Sequence, residues 1–386
     1  MILLLISLFL LLPYLLLIIY YRQSWLQVKL YDPATNQPSS ATFISVIIPA
    51  RNEEKNIAAC IESILKQTYS KDLFEVIIID DYSGDGTAKI SLAYNRSNIS
   101  VIDLAKFTGN NILNSYKKKA IETAIAMAKG SLIVTTDADC IVGEKWLETI
   151  ASYYEKTKAV CIAAPVMFFD IKKNTPFLKK LLLIFQSLDF MTLQGITGAS
   201  VYKKIHNMCN GANLAYEKKV FYEASGFAGI DNIASGDDML LMHKIQKLYP
   251  DKIGYLKSGN AIVKTQAAAT VSEFINQRIR WASKADKYPD VKITIVLVVV
   301  YLLNLWIIVL AFVSFFYSAI FYLLVVSFFT KTFVELFFLY PVSLFFKNRK
   351  LLWWFVLAEP FHIIYTLVAG WLGKFGSYAW KGRKVK

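Results

Sequence analysis

The first residues, "MILLLISLFLLLPYLLLIIYY" (Met1–Tyr21), carry no charged side chain, and from Ile293 the chain turns apolar again almost to its end. A backbone in hydrocarbon must satisfy every N–H and C=O internally, so an uncharged run of ~20 residues has one ready solution, a spanning helix. No basic segment precedes the first run and no small-residue cleavage site follows it, which predicts a retained anchor instead of a removed leader. Near the other end, "ITIVLVVVYLLNLWIIVLAFV" (Ile293–Val313) reads as a clean span. "AIFYLLVVSFF", then Lys331 and Glu335, then "LFFLYPVSLFF" reads as an impure second. "LLWWFVLAEPFHIIYTLVAGWL" reads as a third, interrupted by Glu359, Pro360 and His362; ionisable groups inside such a segment face protein or water. Two or three C-terminal spans are expected.

The sequence therefore divides into an anchor (1–21), a linker (22–42), a polar domain (43–291), a C-terminal membrane region (292–373) and a basic tail (374–386). The linker contains the Pro-, Ser- and Asn-rich "YDPATNQPSS". The net charge of +14 invites a nucleic-acid reading, but the aromatic residues concentrate in the membrane segments and interleave with no basic stripe, so no nucleic-acid partner is expected. Arg22 and Lys29 follow the first span, Lys284, Lys287 and Lys292 precede the second, and Lys347, Arg349 and Lys350 sit in a loop. Such clusters mark the cytoplasmic side of a membrane, which puts the polar domain in the cytoplasm. Cys60, Cys140, Cys161 and Cys209 have no zinc-like spacing, and in a reducing compartment they read as ordinary buried thiols. "PFLKKLLLIFQSLDFMTL" (Pro176–Leu193) reads as a core helix or as an amphipathic helix lying on the membrane surface.

Within the polar domain, short β-branched runs alternate with helical patterns. "FISVIIPA", "FEVIIID", "SNISVIDL" and "SLIVTTDADC" are predicted strands, and the segments after the first and third show helical spacing. This alternation implies βαβ crossovers and a mainly parallel sheet, whose ligands bind at the carboxyl ends of strands. Those ends carry Arg51, Asn52, Glu53, Asp80, Asp81, Asp137 and Asp139. Ionised carboxylates closing a buried strand require compensation. A pair such as Asp137 and Asp139 suits a hard cation, Mg²⁺ or Mn²⁺, that keeps positions open for phosphate oxygens. Neither GxxxxGK[ST] nor GxGxxG occurs, so a metal would carry much of any phosphate binding.

"SVIIPARNEEKNIAACIESILKQTY", "VIIIDDYSGDGT", "GSLIVTTDADC", "NGANLAY", "SGDDMLL" and "QRIRW" occur in an order that resembles the family 2 glycosyltransferases, the inverting group with the GT-A fold. The resemblance covers roughly Ser45 to Trp281, and the closing "WKGRK" resembles endings of membrane-bound bacterial members. It implies an α/β GT-A nucleotide-diphosphosugar transferase fold with a mixed, mainly parallel sheet, flanked by transmembrane helices in a bacterial inner membrane. It further implies a nucleotide-sugar donor such as a UDP-sugar, a divalent metal and a sugar acceptor.

Carried over by position, Pro49, Asn52 and Glu53 would line the nucleotide pocket, with Asp81 and Asp80 on the base or ribose. Lys118, or a neighbour in "YKKKA", would add a base or phosphate contact; the family usually has glycine where Tyr116 or Lys117 stands. Asp139 would be the direct metal ligand and Asp137 a contact to ribose or metal. In "SGDDMLL" the resemblance implies that Asp238 is the base that removes the acceptor proton, with Asp237, in place of the usual Glu, beside it. Both acids could also cap the helix that follows. Gln277, Arg280 and Trp281 share one helical face, Arg280 suited to a diphosphate and Trp281 to stacking on a sugar ring. Gly211 and Asn213 of "NGANLAY" would line the acceptor side. The acceptor is expected to be a lipid or lipid-linked glycan. The alternatives are a processive polysaccharide synthase working with an accessory membrane subunit, and a non-catalytic scaffold.

Overall fold

A computed structural model describes residues 1–33, 41–94, 96–109, 113–233, 235–288, 290–376, 378–380 and 383–385 of the chain. Most of the proposed linker "YDPATNQPSS" and part of the basic tail lie outside the described residues. In chain order the elements begin with α1 (Ile2–Gln27), β1 (Ile44–Ala50), α2 (Ile57–Leu65), β2 (Phe74–Asp80), α3 (Thr87–Ala93), β3 (Ile99–Asp103) and α4 (Ala105–Thr108). Next come α5 (Tyr116–Met127), β4 (Leu132–Thr135), α6 (Trp146–Thr157), β5 (Cys161–Ala163), β6 (Val166–Phe168), α7 (Phe177–Lys203), β7 (Leu214–Glu217), α8 (Lys218–Glu223) and α9 (Met239–Leu248). The chain closes with β8 (Ile253–Tyr255), β9 (Val263–Thr265), α10 (Val271–Ala282), α11 (Val291–Ser314), α12 (Ser318–Phe345), α13 (Phe355–Phe375), β10 (Tyr378–Trp380) and β11 (Arg383–Val385).

These elements form two compact units, one of Val28–Phe169 with Asn207–Gln266 and one of Met1–Gln27, Asp170–His206 and Ala267–Lys386. The division departs from the contiguous polar domain 43–291 expected from sequence. Residues 170–206 and 267–291 pack with the apolar helices, because their buried faces are helical stripes that match other helices and not a sheet.

In the first unit a seven-stranded sheet runs β3-β2-β1-β4-β7-β5-β8. Strands β1 to β4 pair in parallel, and β7 enters antiparallel between β4 and β5. β1 and β2 are buried along almost their whole length, as expected of central parallel strands covered on both faces. Proline is tolerated in β1 at Pro49 because the ladder with β4 ends at Ile47–Thr135, before the missing N–H would be needed on that side. β5 and β8 have three residues each, too short to leave a period in the sequence.

The second unit is helical, and among the described residues five helices in it are long and apolar enough to cross a membrane: Ile2–Gln27, Phe177–Lys203, Val291–Ser314, Ser318–Phe345 and Arg349–Phe375. The expected third C-terminal segment is thus one long helical stretch. Phe177–Lys203, expected as a core or surface helix, has 27 residues and joins this set, its apolar signal diluted by Lys179, Lys180 and Asp189. Close approach between helices depends on small residues: a Cβ at Gly195 would come within 2.6 Å of Val342, and one at Gly373 within 2.6 Å of Ala282.

The ionisable residues of this unit pair inside it. Lys331 lies 2.8 Å from Glu335 and also pairs with Glu359, while Tyr14 donates to Glu335. Asp189 pairs with Arg278 and accepts from Tyr365. His362 stands 3.8 Å from Asp189 and 3.9 Å from Glu359. Charges buried among apolar helices are retained only when partnered in this way.

Candidate active site

The carboxyl ends of β1, β2 and β4 open on the same edge of the sheet and carry the polar residues picked out by sequence. At the end of β1, Arg51 donates to the Asp81 carbonyl at 2.7 Å and lies 3.8 Å from its carboxylate. Asn52 has φ 51° and Tyr82 φ 53°, a left-handed conformation uncommon outside glycine. Reciprocal bonds hold these turns together: Asn52 N–H donates to Ser83 Oγ at 3.0 Å, and Gly84 N–H donates to Asn52 Oδ1 at 2.8 Å. Glu53 accepts from Asn56 at 2.7 Å and fixes the entry to α2. Asp80 accepts from Ser83 N–H at 3.2 Å through Oδ2, while its Oδ1 is buried with no hydrogen-bond partner among the described residues. A buried carboxylate oxygen left open at a strand end fits a ligand donor, such as a ribose hydroxyl or a base N–H.

Past β4, Asp137 and Asp139 are half-buried on the next turn. Lys117, in the first turn of α5, donates to Asp137 at 2.7 Å and lies 3.3 Å from Asp237. Asp139 accepts from Thr265 of β9 at 3.2 Å. Asp238 is the N-cap of α9, accepting from Met239 N–H at 2.7 Å through Oδ1 and from Gly211 N–H at 3.0 Å through Oδ2. A Cβ at Gly211 would lie 3.3 Å from Asp237 Oδ2, so glycine is what lets this backbone meet both acids. The result is one continuous cluster: the DxD turn, Lys117, and the adjacent acids of the SGDD segment.

Enclosure works against the charge of Lys117, but Asp137, Asp237 and Asp238 outweigh it and hold its pKa above the usual lysine range. The ammonium is a stand-in for positive charge at these carboxylates. Among the described residues no group of three or more His, Cys, Asp or Glu gathers to hold a metal unaided. Asp137 and Asp139 would supply two carboxylates and leave the rest of a six-position shell to water and phosphate. That donor set fits Mg²⁺ or Mn²⁺.

Two expected site residues are placed elsewhere. Lys118 does not face the carboxylates; its ammonium donates to the carbonyls of Ile230, Ile233 and Ser235, and Lys117 takes the position beside Asp137. Asn213 is fully buried and braces the core, donating to Pro165 at 2.8 Å and Ala261 at 2.7 Å and accepting from Trp146 at 3.0 Å. Both amide N–H donors are taken, and full burial keeps the oxygen from a sugar. Of the cysteines, Cys60, Cys140 and Cys161 are buried as expected and Cys209 is half-exposed; burial pushes the Cys161 thiol up to about 12.

Gln277, Arg280 and Trp281 lie on α10 of the helical unit, with Arg280 and Trp281 half-exposed. The buried arginine of this motif is Arg278, which sequence reasoning passed over. It stands 4.1 Å from the Trp281 ring and 4.8 Å from the Phe274 ring and pairs with Asp189. The signal was present: Arg278 lies four residues after Phe274, on the buried stripe, and Asp189 is the sole acid in α7.

Comparison with known proteins agrees with this geometry. Residues 45–223 match the sequence model of Glycosyl transferase family 2. The chain is similar to Glycosyltransferase AglE of Haloferax volcanii, 33% identical over 134 residues that make up 34% of this chain and 41% of that protein. It is also similar to the UDP-Glc:alpha-D-GlcNAc-diphosphoundecaprenol beta-1,3-glucosyltransferase WfgD of Escherichia coli, 35% identical over 101 residues, 25% of this chain and 35% of that protein. The matches thus span well under half the length of these relatives. Among solved structures, the mannosyltransferase PcManGT from Pyrobaculum calidifontis, in complex with GDP-Man and Mn²⁺, superposes with a TM-score of 0.54 at 15% identity over 92% of this chain and 93% of that one. The fold is GT-A, and residues 45–223 match the sequence model of glycosyl transferase family 2.

Proposed function

We propose that the protein is a membrane-bound inverting glycosyltransferase that moves a sugar from a nucleotide-diphosphosugar, a UDP-sugar, to a lipid or lipid-linked acceptor at the cytoplasmic face. The observation that carries the reading is the Lys117 bridge, 2.7 Å from Asp137 and 3.3 Å from Asp237. It joins the strand end suited to a diphosphate with the acids suited to an acceptor hydroxyl. The open Oδ1 of Asp80 and the left-handed turn at Asn52 give the nucleoside its side of the crevice.

Asp238 takes the acceptor proton while the hydroxyl oxygen attacks the anomeric carbon from the face opposite the leaving diphosphate. Two backbone N–H groups already orient its carboxylate, and each oxygen keeps a lone pair for the proton. Asp237, 3.3 Å from the Lys117 ammonium, sets the position of its neighbour. Asp139 and Asp137 would hold a divalent cation, which when bound supplies positive charge to the diphosphate.

The lipid acceptor is supported by the five long apolar helices and by the relative whose name specifies a diphosphoundecaprenol-linked substrate. The cytoplasmic face is supported by Arg22, Lys29, Lys284, Lys287 and Lys292 beside the apolar segments. The test is to incubate membranes containing the protein with a panel of radiolabelled nucleotide sugars, then extract with organic solvent. Label in the lipid phase is expected. Label in insoluble polymer would indicate a processive synthase, and no transfer from any donor would contradict the reading.

A further inference from the structure

Helix α5 opens with consecutive lysines, and two of them face different tasks. Successive helical residues point about 100° apart. Lys117 meets the carboxylates of Asp137 and Asp237, whereas Lys118 enters the segment leading to Asp237 and Asp238. The Lys118 ammonium donates to Ile230 O at 2.7 Å, Ile233 O at 2.6 Å and Ser235 O at 3.0 Å. An ammonium has three N–H donors, so all are engaged, and the residue is only 2% exposed. Lys244 of α9 repeats the arrangement upstream, donating to Ser225 O at 3.3 Å, Gly226 O at 2.6 Å and Ala228 O at 2.8 Å.

The segment held in this way is a string of tight turns. Gly226 N–H bonds to Phe221 O, Ala228 N–H to Ser225 O, Ile230 N–H to Phe227 O and Ile233 N–H to Ile230 O. Ser225, Gly226, Gly229 and Gly236 all have positive φ. The two ammonium groups tie carbonyls of successive turns to α5 and α9, and Ser225 O and Ile230 O accept from a lysine as well as from a backbone N–H.

We propose that Lys118 and Lys244 are positioning residues. They clamp residues 225–233 and Ser235 in the arrangement that sets Asp237 against Lys117 and Asp238 against the Gly211 N–H. This inference rests on the reading of Asp238 as the base, and it gives Lys118 a role other than nucleotide contact.

The experiment uses the full chain in detergent, with Lys118→Met, Lys118→Arg and Lys244→Met compared with wild type. Hydrogen exchange is followed in peptides covering 225–238, nucleoside-diphosphate affinity by calorimetry, and sugar transfer by turnover. In Lys118→Met, exchange through 225–238 should rise about tenfold as the segment opens locally. Turnover should fall about 10- to 100-fold, the scale of a misplaced catalytic group. Nucleotide affinity should stay within about twofold, because the base lies on the acceptor side. Lys118→Arg should not rescue, since a planar guanidinium does not reproduce three tetrahedral N–H directions. Lys244→Met, at a half-exposed position, should keep the fold and speed exchange mainly around 225–228. Unchanged exchange in both Met variants would overturn the clamp. A loss of nucleotide affinity equal to the loss of turnover would also overturn it and return Lys118 to the nucleotide. If wild type transfers no sugar, the functional reading fails, while the exchange data still decide whether the lysines hold the segment.

Discussion

Two lysines in this chain each stand between two carboxylates, in opposite surroundings. Lys117 lies 2.7 Å from Asp137 and 3.3 Å from Asp237, with its side chain 22% exposed at the edge of a sheet. Lys331 lies 2.8 Å from Glu335 and pairs also with Glu359, with its side chain 0% exposed among apolar helices. The charges are alike, but only the first cluster is open to a competitor. A diphosphate or a metal can replace one of its contacts at little cost, because water and ligand are both at hand. In the second cluster every partner lost leaves a charge buried in an apolar surrounding. The open triad is therefore suited to chemistry and the closed one to holding helices in register.

The most severe way to break the contrast is at the base. Asp238→Asn keeps shape and the bond to Gly211 but cannot take a proton, so turnover should fall about 10²- to 10⁴-fold. Nucleotide affinity should hardly change. Turnover near wild type in this variant would remove Asp238 from the chemistry.

Next in size is the closed triad. Lys331→Met leaves Glu335 and Glu359 buried without their cation and should cost about 3 to 5 kcal/mol of stability, measured by unfolding in detergent. Replacing all three with apolar residues of similar volume should recover most of that loss. A mild single variant would mean that water reaches the triad and that the contrast in burial is false. Lys117→Met, by contrast, should change stability by less than about 1 kcal/mol, as for other partly exposed pairs, while weakening nucleotide binding.

Smaller again is Asp237→Asn, which should retain substantial turnover because its carboxylate is already engaged by Lys117. A larger loss here than in Asp238→Asn would reverse the two roles. The smallest effect concerns thiols: a maleimide should label half-exposed Cys209 before buried Cys60, Cys140 and Cys161, followed by mass spectrometry of the intact fold.

Legibility in the sequence followed element length and the range of the interactions involved. β1 and β2, with seven residues each and nearly continuous burial, were evident as apolar runs, the first followed by Arg51, Asn52 and Glu53 and the second ending in acids. The three-residue β5, β6, β8 and β9 were not, because no period develops over so few positions and their pairing is set by tertiary contacts. Helix Phe177–Lys203 was read as core or surface because its charges hid a length sufficient to span. At the site, the strand-end acids follow from topology and were visible. The exchange of roles between Lys117 and Lys118 was not, since it depends on a rotation of one residue around α5. Asn213 is a similar case: the family resemblance implied an acceptor-side place, but the side chain turns inward to Trp146, Pro165 and Ala261. Arg278 and Asp189 come from helices far apart in sequence, so each looked like an isolated charge.

The central claim is that the open strand-end carboxylates accept a metal and a nucleoside diphosphate together. Calorimetric titration of nucleoside diphosphates, UDP first, into the full chain with and without Mn²⁺ tests it most directly, with Asp139→Asn as the paired variant. The account predicts binding that needs the metal in wild type and is lost or greatly weakened in Asp139→Asn. Equal affinity with and without Mn²⁺, or wild-type affinity in Asp139→Asn, would contradict it.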